Sequence, residues 1–423
     1  MLAKKKSVLK TKGKFDSEGS FRTWVEINKN AVQKNIATFR KLIGPESMPR
    51  TNSRKRFGAG VKLWAVVKSN AYGHGLVQFS QLADPIRSEN TLRALAASNG
   101  AGKSGVDGFC VDSFVEGVRL RKEGIKKPIL VLGPTLAELA KDASAKDITL
   151  SISNFEILKH LTQTKNPPQF HIKLDTGMSR QGFFLEDIPK VINFLSHKSS
   201  VISQRLSGVY THFASAKDIN YPTYTDRQFE TFNKAVKLFE KAGYKNLVKH
   251  VSATGGAMIN PKYHLDAVRI GIGLYGLWPA KELELQLSNK IYLKPVLAWK
   301  TIVSEVKTIP QGQFVGYDLV ERVSRPTKIA ILPIGYWHGL PRALSSVGEV
   351  LINGRRARIL GRVSMDLTVV DVTGIKCQVG DIATLIGKDG VEEISAEEMA
   401  RLAQTSHYEI VTRLNPLMER VLT

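Results

Sequence analysis

VKLWAVVKSNAYGHG, residues 61–75, is the stretch on which the reading of this chain turns. Its first seven residues are mostly apolar or β-branched and predict a strand over 61–67. The strand runs into Lys68, and a turn rich in Asn, Gly and Tyr comes next. Burying an ammonium at a strand end costs several kcal/mol unless it is paired or neutral. Desolvation lowers a lysine's pKa and frees its amine to attack an aldehyde, so the placement suits a Schiff-base former. Taken alone, VVKS reads more readily as a lysine whose stem lies along a strand end with its head in water.

Working outward, short apolar runs alternate with amphipathic helical stretches from about residue 21 to 280. The runs are 61–67, 107–111, 128–132, 148–152, 170–175, 207–211, 247–251 and 268–272. The intervening 226–242 (DRQFETFNKAVKLFEKA) has apolar residues at helical spacing. Eight such β–α units predict an α/β chain with an N-terminal (β/α)8 TIM-type barrel over 21–285. The polar residues of interest fall at the C-terminal ends of the strands, the face where barrel active sites lie. The texture then changes. PVLAWKTIVSEVKTI alternates like a strand, and GEVLINGRRARILG holds Asn353-Gly354 between apolar runs, a hairpin signal. Ser395 and Glu398 have the spacing of a capping box. Residues 286–423 are therefore expected to form a C-terminal, mainly-β domain.

The 423 residues exceed one comfortable core, in keeping with two domains. No run is long enough to span a membrane. Cys110 sits in an apolar run far from Cys377, so no disulfide framework is implied. No metal site is expected. The net charge of +23 is partly local: residues 1–14 carry six lysines and no acid. They lack the apolar core of a secretory signal and the arginines of a transit peptide. Residues 1–20 are read as a disordered basic tail. A second basic cluster spans 50–62, and neither segment has interleaved aromatics, so nucleic-acid binding is not expected. ASNGAGKS (97–104) approximates a phosphate loop, but no strand precedes it and no good helix comes after it. It reads as an ordinary glycine-rich loop in a surface insertion over about 84–105.

Five segments together resemble the alanine racemase family, in that family's order and over nearly the whole chain from Thr23. They are AVVKSNAYGHG (65–75), KLDTGMSRQGF (173–183), YTHFASA (210–216), AVRIGIGLYG (267–276) and GRVSMDLTVVDV (361–372). The resemblance implies a cytoplasmic homodimer that uses pyridoxal 5'-phosphate to interconvert L- and D-alanine, supplying D-alanine for peptidoglycan. Lys68 would carry the cofactor and serve as one acid–base group. Racemisation needs a second such group on the opposite face of the substrate Cα, and Tyr317 in QFVGYDLV matches the family's tyrosine, which reaches a partner subunit's barrel.

Arg269 matches the arginine that faces the pyridine nitrogen. An arginine does not give up its proton, so the ring stays a weaker electron sink and return of a proton to Cα is favoured over transamination or decarboxylation. Gly271, Ile272, Ser252, Tyr72 and Tyr408 match the contacts to the cofactor phosphate. His212 matches the histidine packed against the ring. Arg180 would contact the cofactor phenolate and the substrate carboxylate, oriented by a carbamate on Lys173. Met365 and Asp366 match the segment lining substrate entry, as do Tyr336 and Arg342.

Some positions depart from the family pattern. Trp337 and His338 replace a small residue and an acid in IGYWHG, Val251 stands where Asn is common, Asp318 comes after Tyr317, and Ser364 precedes Met365. These changes fall on the entry corridor and subunit interface more than on the chemistry. The rival readings are a broad-specificity or serine-preferring racemase of the same fold, and a non-catalytic cofactor-homeostasis protein, which would lack the β domain.

Overall fold

The computed structural model describes residues 21–44, 60–84, 105–198 and 200–423. The basic tail, most of the 50–62 cluster and the ASNGAGKS loop lie outside the described residues. Two compact units form. Of the described residues, one comprises those within Glu26–Leu297, Ser406–Pro416 and Arg420–Thr423; the other comprises 21–25, Ala298–Thr405 and Leu417–Glu419.

After β1 (Thr23–Ile27) come the barrel strands: β2 (Lys62–Val66), β3 (Gly108–Val111), β4 (Ile129–Val131), β5 (Leu150–Ile152), β6 (Phe170–Lys173), β7 (Leu206–Tyr210), β8 (Val248–His250) and β9 (Ala267–Ile270). Each expected strand is present, and most are a residue or two shorter than the apolar run suggests. They pair in parallel as β4-β3-β2-β9 and β5-β6-β7-β8. Backbone hydrogen bonds close both seams. Val131 N donates to Thr149 O (2.9 Å) on one side, and Arg269 N donates to Ser252 O (2.9 Å) on the other. The result is the closed barrel the sequence predicts.

The barrel interior is not uniformly apolar. Trp64, Cys110, Leu130 and Ala267 pack together, but the rings of Trp64, His171, His250 and Tyr210 also meet there. Trp64 lies 5.7 Å from His171 and 5.0 Å from His250, and Tyr210 stacks on His250 at 4.7 Å. Gly208 makes room for this: a Cβ on it would lie 2.6 Å from the His171 ring.

In the other unit, β10 (Leu297–Ile302) and β11 (Glu305–Ile309) divide what reads as one alternating strand. The break at Val303–Ser304 sends β10 to β16 (Ile382–Asp389) and β11 to β12 (Thr327–Leu332). β13 (Glu349–Ile352) and β14 (Arg355–Leu360) form the expected hairpin, with β15 (Thr368–Asp371) joining β14 to β12. Asn353 (φ 51°) and Gly354 (φ 73°) take the paired left-handed conformations of a type I′ turn. Only half of the capping box forms. Ser395 Oγ accepts from Glu398 N at 3.0 Å, while the Glu398 carboxylate goes to Arg356 at 2.6 Å. Both cysteines are free and buried. Among the described residues no helix is long and apolar enough to cross a membrane.

Candidate active site

One cavity of about 480 Å3 opens in the barrel unit, at the C-terminal ends of the strands. Its wall includes Lys68, Tyr72, Lys173, Arg180, His212, Arg269, Gly271, Ile272 and Tyr408. Residues drawn from sequence positions more than three hundred apart thus meet at one site.

Lys68 comes just after β2 as expected, but its desolvation is partial. Its side chain is 38% exposed, with Nζ 3.8 Å from Asp112 Oδ1. The segment behind it is no ordinary turn. Ser69, Asn70, Ala71 and Tyr72 all have φ between 52° and 55°, a left-handed helical turn closed by Gly73 at 81°. Each non-glycine residue held there costs roughly 1–2 kcal/mol. Side chains from elsewhere hold it. Glu116 Oε1 accepts from Ser69 N (2.7 Å) and Asn70 N (3.4 Å), and its Oε2 accepts from Asp112 N (2.8 Å). Asn70 Oδ1 accepts from Leu76 N (2.8 Å), and Arg420 Nη2 donates to Gly73 O (3.0 Å).

His74 Nδ1 lies 2.8 Å from Tyr72 O and 3.1 Å from Ala71 O. Both partners are carbonyls, so Nδ1 carries the proton. Burial pushes the His74 pKa down to about 4, which keeps it neutral. Gly73 is required on two counts: its φ, and a Cβ there would lie 1.8 Å from Val411 O.

Arg269 is 2% exposed. Nη2 donates to Thr211 O (2.8 Å), Val251 O (3.1 Å) and His212 Nδ1 (3.4 Å), and Nη1 to His250 Nδ1. None of these acceptors is a carboxylate, and Nε has no partner among the described residues. Because Arg269 only donates, both imidazoles must accept through Nδ1. His250 Nε2 then donates to His171 Nδ1 at 2.8 Å. Burial, then the Arg269 charge, lowers His212 and His171 to about 3 and pushes His250 well below the usual imidazole range. All three stay neutral.

The phosphate-side candidates divide. Burial pushes the Tyr72 hydroxyl up to about 12 and Tyr408 higher still. Both stay protonated, and neither oxygen has a hydrogen-bond partner among the described residues. A Cβ on Gly271 would lie 2.8 Å from Tyr72 Oη, so glycine here lets backbone approach that hydroxyl. Ser252 is not among the residues lining the cavity. It is fully buried, its Oγ donates to Tyr263 O at 2.7 Å, and its neighbours Ala253–Gly256 line the cavity in its place.

Lys173 Nζ donates to Gln181 Oε1 (2.7 Å), and Gln181 Nε2 donates to Ser153 Oγ (3.2 Å). Burial, then the charges of Arg180 and Arg269, lowers the Lys173 pKa to about 8. Arg180 has no ion-pair partner among the described residues. Its loop is shaped by Asp175, whose carboxylate accepts from the amides of Gly177, Met178, Ser179 and Arg180 at 2.9–3.0 Å. Burial works to raise the Asp175 pKa, but these four bonds outweigh it.

The remaining candidates sit in the other unit. Tyr317 is 67% exposed at a hairpin tip. Tyr336 N and Trp337 N donate to Ser364 O and Met365 O, both at 3.0 Å, which brings exposed Tyr336, Trp337 and Met365 together. Arg342 and Asp366 are exposed on the same unit. Glu116, Asp175, Gln181, His250 and Arg420 were not anticipated. Two of them leave a signal: Asp175 opens D-T-G, an Asx-turn pattern, and Glu116 closes S-x-x-E, though it turns toward Lys68 rather than back to Ser113.

Known proteins share this fold. The model of the alanine racemase N-terminal domain matches residues 90–279, and that of the C-terminal domain matches 296–422. An alanine racemase from Leptospira interrogans is 34% identical over 97% of this chain and 98% of its own. One from Methanococcus maripaludis is 35% identical over 94% and 98%. The crystal structure of the Bacillus anthracis alanine racemase with bound L-Ala-P superposes with a TM-score of 0.82 at 29% identity, over 96% of each chain. A barrel with a lysine-bearing cavity joined to a β domain is the architecture of one class of isomerase. The chain belongs to the alanine racemase family.

Proposed function

We propose that the protein interconverts L- and D-alanine with pyridoxal 5'-phosphate in the barrel cavity, acting as a cytoplasmic homodimer that supplies D-alanine for peptidoglycan. The observation that carries this reading is Arg269, buried in the cavity that holds Lys68, with no carboxylate partner and no partner for Nε among the described residues. The donor set fits the cofactor: a primary amine for the aldehyde, one guanidinium N–H for the ring nitrogen, and two tyrosine hydroxyls beside the Gly271 backbone for the phosphate.

When bound, pyridoxal phosphate supplies an aldehyde for Lys68 and a π system that acidifies the substrate Cα–H. Lys68 Nζ moves a proton on one face of Cα, and the Tyr317 hydroxyl of a second copy moves one on the other. Arg180 binds the substrate carboxylate as a two-pronged donor. Arg269 holds the ring nitrogen without releasing a proton, which favours reprotonation at Cα. Exposed Tyr336, Trp337 and Met365 form an apolar patch suited to a second copy of the chain.

A racemisation assay across alanine, serine, lysine and arginine tests the substrate. Alanine is expected to be turned over at least about tenfold faster than the others. Serine matching alanine would replace this reading by the broader racemase.

Lys173 is proposed to carry a carbamate that gives Arg180 an anionic partner. Only a neutral amine adds CO2. A pKa lowered to about 8 therefore makes occupancy rise with pH through that value and fall in acid. With labelled bicarbonate, a carbamate carbon signal is expected to grow between about pH 6 and about pH 9 and to vanish in Lys173→Met. No signal at either pH would remove the carbamate.

A further inference from the structure

Tyr317 lies at the tip of a hairpin over 312–323. The arms are tied by Gly312 N to Val323 O (2.8 Å), Val323 N to Gln313 O (3.0 Å) and Val315 N to Glu321 O (2.9 Å). The tip itself has left-handed backbone at Gly316 (φ 74°), Asp318 (φ 65°) and Leu319 (φ 54°). Burial does not hold it, since Leu319 is 64% exposed in this unit. A leucine keeps such a backbone only when something else fixes it.

Beside the tip one carboxylate oxygen faces two guanidinium groups. Asp318 Oδ2 lies 3.2 Å from Arg362 Nε and 3.9 Å from Arg342 Nη2. Arg362 Nε is buried and makes no hydrogen bond among the described residues, so Asp318 meets it as an ion-pair contact. Arg362 is preceded by Gly361, which approaches the hairpin so closely that a Cβ would lie 2.4 Å from Val315 O. On the other arm Glu321 pairs with Arg358 at 2.8 Å. Removing the Asp318 charge would leave two guanidinium groups beside the tip with no acid between them.

We propose that Asp318 is a positioning residue whose carboxylate, held between Arg362 and Arg342, sets where the Tyr317 hydroxyl is carried. This rests on the reading of Tyr317 as the second acid–base group. The pair is half exposed and contributes little to global stability. Its effect is local geometry, to which proton transfer is sensitive.

The test uses the holoenzyme with Asp318→Asn, Asp318→Gly, Arg362→Gln and the Asp318→Asn/Arg362→Gln pair. Racemisation is measured beside washout of the α-proton from each enantiomer in heavy water, with melting temperature and subunit assembly. Asn keeps the left-handed tolerance and loses the charge; Gly relieves the backbone and loses the charge. Both are expected to lower racemisation at least about tenfold. Washout from the enantiomer served by Lys68 should stay within about threefold, with melting and assembly unchanged. The double variant should be no worse than the poorer single one.

Turnover within about twofold of wild type in Asp318→Asn, equal loss of washout from both enantiomers, or loss of assembly would each overturn the proposal. Tyr317→Phe separates the two claims. If it spares washout from both enantiomers, the acid–base reading of Tyr317 falls and the positioning role goes with it. If it abolishes one washout while Asp318→Asn leaves both intact, only the positioning role falls.

Discussion

Lys68→Ala is expected to lower racemisation at least about a thousandfold, because it removes the aldehyde-binding amine and one of two proton carriers together. The fold should survive. Among the described residues the one acid paired with Lys68 is Asp112, at 3.8 Å, and the left-handed turn behind it is held through backbone atoms by Glu116 and Arg420. Melting temperature should therefore move little, while retention of pyridoxal phosphate through dialysis should fall. Lys68→Arg makes the result specific. It keeps the positive charge but provides no amine for a Schiff base and no proton to release. Racemisation should drop as far as in Lys68→Ala. Recovery to within about tenfold of wild type in Lys68→Arg would mean that charge alone is required there and would remove the covalent role.

The barrel strands were legible because parallel strands buried on both faces read as apolar runs, and the 353–354 hairpin because its turn chemistry is local. The turn after Lys68 was not legible. Ser, Ala and Tyr have no strong tolerance for left-handed backbone, and the groups enforcing it lie 47 residues away at Glu116 and 347 at Arg420. No window along the chain contains that information. The polar interior of the barrel was hidden for a related reason. His171 and His250 each interrupt an apolar run harmlessly, and only closure of the barrel sets one ring against the other and both in line with Arg269. Arg269 itself was legible as an arginine on an apolar strand. That its partners are all neutral became visible only with β7 and β8 beside it. The Ser252 hydroxyl shows the converse limit: a motif gives the residue, but the bond to Tyr263 O decides where the oxygen goes.

Two inactive variants are expected to restore activity when combined, if the site is shared between copies. Tyr317→Phe should lower racemisation about a hundredfold or more, since a phenyl ring moves no proton. Lys68→Ala is inactive for a different reason. In a dimer where Tyr317 of one copy serves Lys68 of the other, a mixed dimer has one site with both defects and one with neither. Random reassortment makes about half of all dimers mixed, each with one working site, so activity should return to about a quarter of wild type. That recovery stands far above either parent and needs no knowledge of the interface. If Tyr317 instead served the barrel of its own chain, every site in every combination would carry one defect, and mixing would recover nothing. The measurement is racemisation after co-expression or dissociation and reassociation, with the wild type carried through the same cycle. Tyr317 is exposed and belongs to the unit that does not carry the cavity. A proton carrier left in water at a hairpin tip is poorly placed for catalysis, and closure of a second copy over it would supply the missing enclosure.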